Sequence, residues 1–180
     1  MSKLAVLNDL FTTYQQLNYH QNPQLFERLR DVQNWQKKRI IRTHAPQFQQ
    51  KQNQLMADYF MNRLYGGPDF DALAAQIQRL LPKIHKAEKL IPENAIKTGT
   101  AGIQLALLAV QLDEDVAAQL LKDYPKDTVL TDEIMRVTYL KLNQGEQRLE
   151  QLRQLDQLGL SLDKYLRSFV VHTAFKMCKS

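Results

Sequence analysis

The sequence predicts an all-α protein: a compact bundle of about seven to nine helices, without a sheet, in a single domain covering residues 1–180. Glycine and proline are scarce, at six each, whereas leucine, glutamine, lysine and alanine are plentiful, and this composition favours helices. Apolar residues recur roughly once per helical turn, and no alternating run reaches the length of a strand. Hydrophobic residues make up 44% of the chain, which is enough to build a core.

The first two helices are predicted over residues 3–19 and from Pro23 to about Thr43. Asn22 and Pro23 form an N-cap followed by a first-turn proline, a common way to begin a helix. Pro46 ends or kinks the second pattern, because proline disfavours helical geometry at the residue before it. The residues that share the apolar side of the first helix are Leu7, Leu10, Phe11, Tyr14 and Leu17.

A basic cluster lies within the second helix, in the stretch NWQKKRIIRTH at residues 34–44. One interpretation is a phosphate-binding stripe with a stacking aromatic residue. The alternative is a solvated helix face whose single tryptophan is half buried. No zinc-finger spacing or RNA-binding motif accompanies the cluster, and the net charge of +5 is modest for a nucleic-acid-binding domain. The candidate anion or nucleic-acid contacts are Trp35, Lys37, Lys38, Arg39 and Arg42.

The stretch from residue 55 to residue 81 is predicted to form a helix, a tight corner and a second helix. Gly66 is suited to a left-handed cap after the first helix, and Pro68 to a turn or to the start of the second, which Pro82 ends. The aromatic residues at the corner are interpreted as core packing, with an aromatic-lined pocket as the alternative. These aromatic residues are Tyr59, Phe60, Tyr65 and Phe70.

The corner also carries a family resemblance. The run Tyr59-Phe60-Met61-Asn62-Arg63-Leu64-Tyr65-Gly66, with the following Pro68-Asp69-Phe70, resembles the FFLEELY-motif family of bacterial proteins from about Trp35 through residues 108–113. The resemblance implies a helical protein without an established activity. Asn62 and Arg63 stand where the family has two glutamates, so any metal or acid–base role of those carboxylates could not be repeated here. The motif residues interpreted as packing positions are Tyr59, Phe60, Leu64, Tyr65, Gly66, Pro68 and Phe70.

A short helix is expected between Pro82 and Pro92, followed by a central helix over residues 93–111. The central helix is apolar on most of its circumference, which predicts burial among its neighbours. Gly99 and Gly102 would let another helix approach closely. The sequence Thr98-Gly-Thr-Ala-Gly102 superficially resembles a phosphate loop, but it lacks the Gly-Lys-Ser/Thr ending and a preceding strand.

Four further helix boundaries are predicted after residue 112. The acidic run at residues 113–115 is expected to begin a new helix, because carboxylates are favoured at helix N-termini. It could also bind a cation, although the EF-hand spacing is absent. Thr131 is the expected N-cap of a well-buried helix that includes Val137 and Leu140. Gly159 is read as a C-cap and Ser161 as the N-cap of the last helix.

Catalytic and metal-binding motifs are missing from the sequence. It contains no G-x-S-x-G elbow, no cysteine–histidine cluster and no dinucleotide fingerprint, so we expect neither an enzyme nor a cofactor. His85 and Glu88 form one His-x-x-Glu pair, whereas a di-iron bundle needs carboxylates and Glu-x-x-His motifs on several helices. We therefore expect His85 to lie on the surface. The four histidines, scattered over different predicted elements, are His20, His44, His85 and His172.

The compartment is predicted from what the sequence lacks. The N-terminus has no signal-peptide pattern, and the single cysteine, Cys178, allows no internal disulfide, so a cytoplasmic location fits. The longest apolar run, residues 103–112, is too short to span a bilayer, and we expect no membrane insertion.

Charge is distributed unevenly: residues 1–50 carry +4 and residues 101–150 carry −4. Two electrostatic faces of this kind, together with surplus apolar residues on the late helices, favour a non-enzymatic protein-interaction or scaffold module that binds a protein partner or forms a homodimer. The alternatives are nucleic-acid binding through residues 35–44, and a small apolar ligand held between helices near the corner and the 103–110 face.

Overall fold

A computed structural model describes residues 5–51, 68–87 and 91–166, together with the isolated positions 54, 58 and 61. In these ranges the chain forms seven α-helices and a short 3-10 turn, with no strand, and this confirms the predicted fold class. The elements are α1 (Ala5–Gln15), the 3-10 turn (Asn18–His20), α2 (Pro23–Thr43), α3 (Ala45–Phe48), α4 (Pro68–Ala87), α5 (Glu93–Asp123), α6 (Asp132–Leu142) and α7 (Gly145–Leu166).

Local signals set the start of two helices as the sequence predicts. At α2 the Asn22 side chain accepts a hydrogen bond from the backbone N–H of Leu25, at 3.1 Å. At α6 the Thr131 hydroxyl accepts from the backbone N–H of Ile134, at 3.3 Å. Each cap satisfies an N–H that has no partner inside its helix.

Helix α5 is the central element and contacts α1, α2, α6 and α7. The main core joins α2, α5 and α6, and burial of each large apolar side chain there contributes roughly 1.5–3 kcal/mol. Its most deeply buried members are Leu29, Val32, Val116, Leu120 and Met135. A second, smaller core joins α1, α4 and α5 through Leu7, Phe11, Leu81 and Ile96.

The predicted boundary at residues 113–115 is wrong, because α5 continues through the acidic run to Asp123. Asp113 and Glu114 are buried and bonded to groups from other parts of the chain, so these two residues belong to the interior of the protein and do not mark a helix start. The prediction that α6 is well buried holds for only part of the helix. Met135 is buried, but Val137 and Leu140 are exposed, so this helix buries one face only.

Two helices run through residues predicted to end them. Helix α4 continues past Pro82, because Leu81 and Ile84 on either side of the proline both pack into the smaller core. Helix α7 continues past Gly159, and the Ser161 hydroxyl donates a hydrogen bond to the carbonyl of Gln157 instead of capping a new helix. A glycine inside a helix costs only about 1 kcal/mol, which packing elsewhere can offset.

Most of the predicted corner lies outside the described residues. This applies to Tyr59, Phe60, Leu64, Tyr65 and Gly66, and near the C-terminus to His172 and Cys178. Pro68 is the first residue of α4 and Phe70 lies in its first turn, which agrees with a helix starting at the proline.

By length and composition, α5 could cross a membrane, which the apolar run of residues 103–112 alone had not indicated. The central helix of a globular protein passes the same test. Within the described part of the chain, α5 packs against four other helices and carries the buried carboxylates of Asp113 and Glu114.

Candidate functional site

A cavity of about 1120 Å³ lies between α1, α2, α4, α5 and α7, and α3 and α6 also contribute residues to its lining. Ligand-binding clefts are usually about 300–1,000 Å³, so the space is large enough for a small molecule. The helices facing α5 contribute mainly aliphatic and aromatic side chains, and they include Leu10, Phe11, Tyr14, Ile77, Leu152, Leu155 and Leu158. We call this space the interhelical cavity.

The α5 wall of the interhelical cavity includes a stripe of small residues, alongside Thr98, Ile103, Leu105 and Leu107. The small residues recur every three or four positions, which places them on one face of the helix. A Cβ atom at Gly99 would meet nothing within 4 Å, and one at Gly102 would meet only the Leu158 side chain, at 3.8 Å. The predicted close helix approach is therefore not seen at Gly99, where the missing side chain leaves space beside α5, whereas at Gly102 the Leu158 side chain of α7 lies at ordinary contact distance. The stripe consists of Ala95, Gly99, Gly102, Ala106 and Ala109.

A second pocket of about 520 Å³ adjoins the interhelical cavity between α2, α6 and the start of α7. Four arginines line it, so we call it the arginine pocket; they are Arg39, Arg42, Arg136 and Arg148. Three residues line both spaces and form what we call the neck: Arg39, Tyr139 and Arg148.

Carboxylates compensate three of the four arginines. Arg39 differs: its guanidinium lies over the Trp35 ring, 5.6 Å from the centroid, and it has no carboxylate partner among the described residues. One positive charge at the neck is therefore not paired within the described chain. The three ion pairs are Arg42–Asp132 at 2.8 Å, Arg136–Glu133 at 2.7 Å and Arg148–Asp113 at 3.2 Å.

The neck also contains two buried hydrogen-bond donors without an acceptor among the described residues: the Tyr139 hydroxyl and Arg148 Nε. Burial raises the pKa of Tyr139 to about 12; the negative charge of Asp113 acts in the same direction, and Arg148 and Arg39 oppose it. The hydroxyl therefore keeps its proton at neutral pH and can donate.

Arg148 is held in place from α5. Its Nη1 atom lies 3.2 Å from Asp113 Oδ1, and its Nη2 atom donates to the Leu112 carbonyl at 3.0 Å. Gln36 on α2 donates to the same Asp113 oxygen, at 3.0 Å. These bonds fix the guanidinium at the neck, where the Arg148 Cζ atom lies 5.5 Å from the centroid of the Tyr139 ring.

The opposite wall of the interhelical cavity includes Tyr14, whose hydroxyl donates to Asp71 at 2.9 Å. Asp71 also pairs with Arg30, and Tyr19 donates to it at 3.2 Å. Burial, the largest cause, raises the pKa of Tyr14 to about 12. Burial also raises the pKa of Tyr19. This cluster ties α1 and α2 to α4.

The structure divides the basic cluster predicted at residues 35–42. Trp35, Arg39 and Arg42 share one face of α2 and line the arginine pocket, whereas Lys37 and Lys38 do not. Trp35 is half buried: it packs against the main core, and its ring centroid lies 6.4 Å from that of Tyr139. The interpretation of a half-buried tryptophan is confirmed.

The histidines that the structure describes have separate surroundings. His85 lies within hydrogen-bonding distance of Asn8 Oδ1, at 3.3 Å, while Glu88 falls outside the described residues. His20 packs against the Tyr19 ring, and His44 lines the interhelical cavity. Over the described ranges, no group of three or more histidine, cysteine, aspartate or glutamate side chains could hold a metal ion.

Sequence reasoning missed three residues of the site: Asp113, Tyr139 and Arg148. Asp113 was assigned to a helix start, Tyr139 to a helix core, and Arg148 lay in a charged stretch without a motif. No local pattern marked these three residues, because they lie on different helices and the hydrogen bonds from Gln36 and Arg148 to Asp113 join residues 35 or more positions apart.

The chain is similar to a known family of protein domains. A family model described as "Domain of unknown function (DUF8198)" matches residues 16–180, which include the described lining of both the interhelical cavity and the arginine pocket except for parts of α1. No curated protein and no solved structure matches the chain.

Proposed function

This chain belongs to the DUF8198 family, a family defined by a domain of unknown function, and from that premise we propose that the protein binds a small, largely apolar ligand in the interhelical cavity. The proposal describes a binding protein rather than an enzyme, located in the cytoplasm. It includes no catalytic step, metal or cofactor.

The observation that carries the proposal is the cavity of about 1120 Å³ with its stripe of small residues. The space is partly open to solvent, because Leu152 and Leu155 in its lining are 62% and 42% exposed. A space of this size, lined mainly by apolar side chains from the seven described helices, has the dimensions and chemistry of a ligand site.

The width of the interhelical cavity beside α5 depends on the small residues Gly99 and Ala106. Both lie on the cavity side of that helix, where the nearest neighbour to a Cβ at Gly99 is more than 4 Å away. A large residue at either position would project into the cavity, so the width of the site depends on small side chains there.

The proposal can be tested by native mass spectrometry of the full chain purified from its own host. We expect a retained small molecule, and in vitro we expect an apolar fluorescent probe to bind to the purified protein. Gly99→Trp places the largest side chain in the cavity and should reduce probe binding at least tenfold. The matched control is Gly159→Trp, because Gly159 is exposed on α7 and a Cβ there would also meet nothing within 4 Å.

Two results would contradict ligand binding in the interhelical cavity. If Gly99→Trp and Gly159→Trp bind the probe as tightly as the unmodified protein, then the probe does not occupy the interhelical cavity. If neither a retained molecule nor probe binding is found, the proposed function is wrong.

Protein–protein interaction is a second candidate, and exposed leucines support it. Leu140 on α6 and Leu160 on α7 are each 66% exposed, and Leu149 on α7 is 42% exposed. Such residues would be covered in a homodimer or by a protein partner. Light scattering of the purified protein tests the homodimer, and pull-down from the host tests a partner; a strict monomer that retains no protein would count against this candidate.

Nucleic-acid binding through residues 35–44 has less support. Trp35 packs against the main core, and Arg42 is paired with Asp132.

We also propose that the stretch from Tyr59 to Gly66 is the FFLEELY motif of the family that it resembles.

A further inference from the structure

We propose that the ligand is an amphipathic anion, whose phosphate or carboxylate head group binds to Arg39, Tyr139 and Arg148 at the neck while its apolar chain lies in the interhelical cavity. This inference rests on the proposed function, because it specifies the chemical class of the molecule that the cavity takes.

The position of the neck provides the first argument. The same three side chains line the mainly apolar interhelical cavity and the arginine pocket. A molecule with an apolar chain in the cavity and one end at the neck would therefore have that end beside guanidinium groups. An apolar end would leave these groups poorly solvated, whereas an anionic end would interact favourably with them.

The balance of charge provides the second argument. The arginine pocket and its rim contain four arginines, and three of them are paired one to one with Asp113, Asp132 and Glu133. Arg39, which is exposed, lies over the Trp35 ring and has no carboxylate partner in the described chain. The uncompensated charge is thus positive and lies at the neck, where one anionic group would balance it.

Hydrogen bonding provides the third argument. Buried polar groups in proteins nearly always have partners, yet the Tyr139 hydroxyl and Arg148 Nε have none among the described residues. Both are donors in their ordinary protonation states, and Arg39 adds further donors. A carboxylate or phosphate presents several acceptor oxygens in a small volume and can satisfy donors that approach from different helices.

Calorimetric titration of the full-length protein with four probes tests the inference. Dodecyl phosphate and dodecanoate carry an anionic head, dodecanol carries a neutral one, and inorganic phosphate has no chain. We expect the two anionic amphiphiles to bind about tenfold or more tightly than dodecanol, and inorganic phosphate to bind at least tenfold more weakly than dodecyl phosphate.

Arg39→Gln removes the unpaired charge and should weaken dodecyl phosphate binding about tenfold to a hundredfold, while leaving dodecanol binding unchanged. Lys38→Gln is the matched control: it removes one exposed positive charge from the adjacent position of α2, and Lys38 lines neither space. We expect Lys38→Gln to bind all four probes as the unmodified protein does.

Tyr139→Phe tests the hydroxyl separately. It removes a buried donor that has no partner among the described residues, so we expect the melting temperature without ligand to stay the same or rise. Affinity for dodecyl phosphate should fall at least threefold, and affinity for dodecanol should not change. A role in packing alone would lower the melting temperature without this selective loss. The control is Tyr124→Phe, since Tyr124 lies outside both linings.

The other possible results each contradict one part of the proposal: the head-group site, the placement of the apolar chain, or ligand binding itself. Equal binding of dodecanol and dodecyl phosphate would overturn the head-group site and leave the proposed function standing, as would equal losses in Arg39→Gln and Lys38→Gln. Inorganic phosphate binding as tightly as dodecyl phosphate would show a free anion site and would overturn the placement of the chain. If no probe binds, both this inference and the proposed function are wrong.

Discussion

Arg148 on α7 reaches the buried carboxylate of Asp113 in the middle of α5, with 3.2 Å between Nη1 and Oδ1. The Asp113 side chain is only 3% exposed, and that of Arg148 is 23% exposed. A charge so well shielded from water is tolerated only if it is paired and hydrogen-bonded, and Gln36 provides a further donor. The pair therefore joins three helices at one side of the neck.

Replacement of Asp113 by alanine should be strongly destabilising. It leaves Arg148 and Gln36 without their common acceptor, and loss of one partner from a buried pair typically costs about 3–5 kcal/mol. Urea unfolding measures this change. Asp115→Ala is the control, because Asp115 is two residues further along α5, is exposed and accepts one hydrogen bond from Gln144. We expect it to cost less than about 1 kcal/mol, and similar losses for the two variants would contradict the argument.

Glu114 should be the second sensitive carboxylate on α5. Its two oxygens accept from the Asn18 side chain at 3.0 Å, from the Asn18 backbone N–H at 3.3 Å and from the Tyr19 N–H at 2.9 Å. Glu114→Ala would leave these donors without an acceptor at a largely buried position, so we expect a loss of about 2–4 kcal/mol by thermal or urea unfolding. Glu114→Gln retains one acceptor oxygen and should cost less; an equal loss would argue against hydrogen bonding as the cause.

These two carboxylates show why the sequence predicts helices better than it predicts the site. The caps at Asn22 and Thr131 depend on residues three positions away, so a local pattern reveals them. Asp113 meets a partner 35 residues away, and Glu114 meets partners more than 90 residues away. Acidic residues usually cluster at helix starts, and this preference led to a boundary where α5 in fact continues.

The glycines of α5 illustrate the same limit. Gly99 and Gly102 could mark either a close approach of another helix or a space beside the helix, and the sequence around them fits both. Which one occurs depends on where α7 lies, and the structure places Leu158 at ordinary contact distance from Gly102 and nothing close to Gly99. The periodicity of α5 was therefore predictable from the sequence, whereas the interhelical cavity was not.

Substitution of alanine for either glycine should stabilise the protein. A Cβ fits at Gly99 without contact and at Gly102 with a 3.8 Å contact, and glycine inside a helix costs roughly 0.5–1 kcal/mol relative to alanine. Gly99→Ala and Gly102→Ala should each raise the melting temperature by the equivalent of that amount. Ala109→Gly, on the same face of α5, should lower it comparably. A fall in stability for Gly99→Ala would mean that a neighbour occupies the space beside it.

Binding to nucleic acid should be weak and should not depend on Trp35. The ring packs against the main core, so it is poorly placed to stack on a base. In a mobility-shift assay at low salt, we expect no specific complex with single-stranded or duplex DNA or RNA. A salt-dependent shift that is abolished by Lys37→Gln together with Lys38→Gln would instead support the basic cluster as a nucleic-acid contact.

The free energy of unfolding should fall as the pH rises above 10, because Tyr14 and Tyr139 are partly buried. Burial raises the pKa of each to about 12 from a reference value of 10.0. Below pH 10 both tyrosines are protonated whether the protein is folded or unfolded, and their contribution to stability is fully present. Between pH 10 and pH 12 the unfolded chain binds fewer protons than the folded protein, so the free energy of unfolding decreases as pH rises.

Unfolding measured by urea at a series of pH values, together with the ultraviolet absorbance of tyrosinate, would detect this loss. Tyr139→Phe removes one such group, leaving Tyr14 and Tyr19 with raised pKa values, and should make the fall between pH 10 and pH 12 shallower, while stability at pH 7 stays the same or rises. Tyr124→Phe should leave the steeper fall unchanged. If Tyr139 ionises near pH 10 in the folded protein, its hydroxyl is accessible to water, and the neck is then more open than its buried donors indicate.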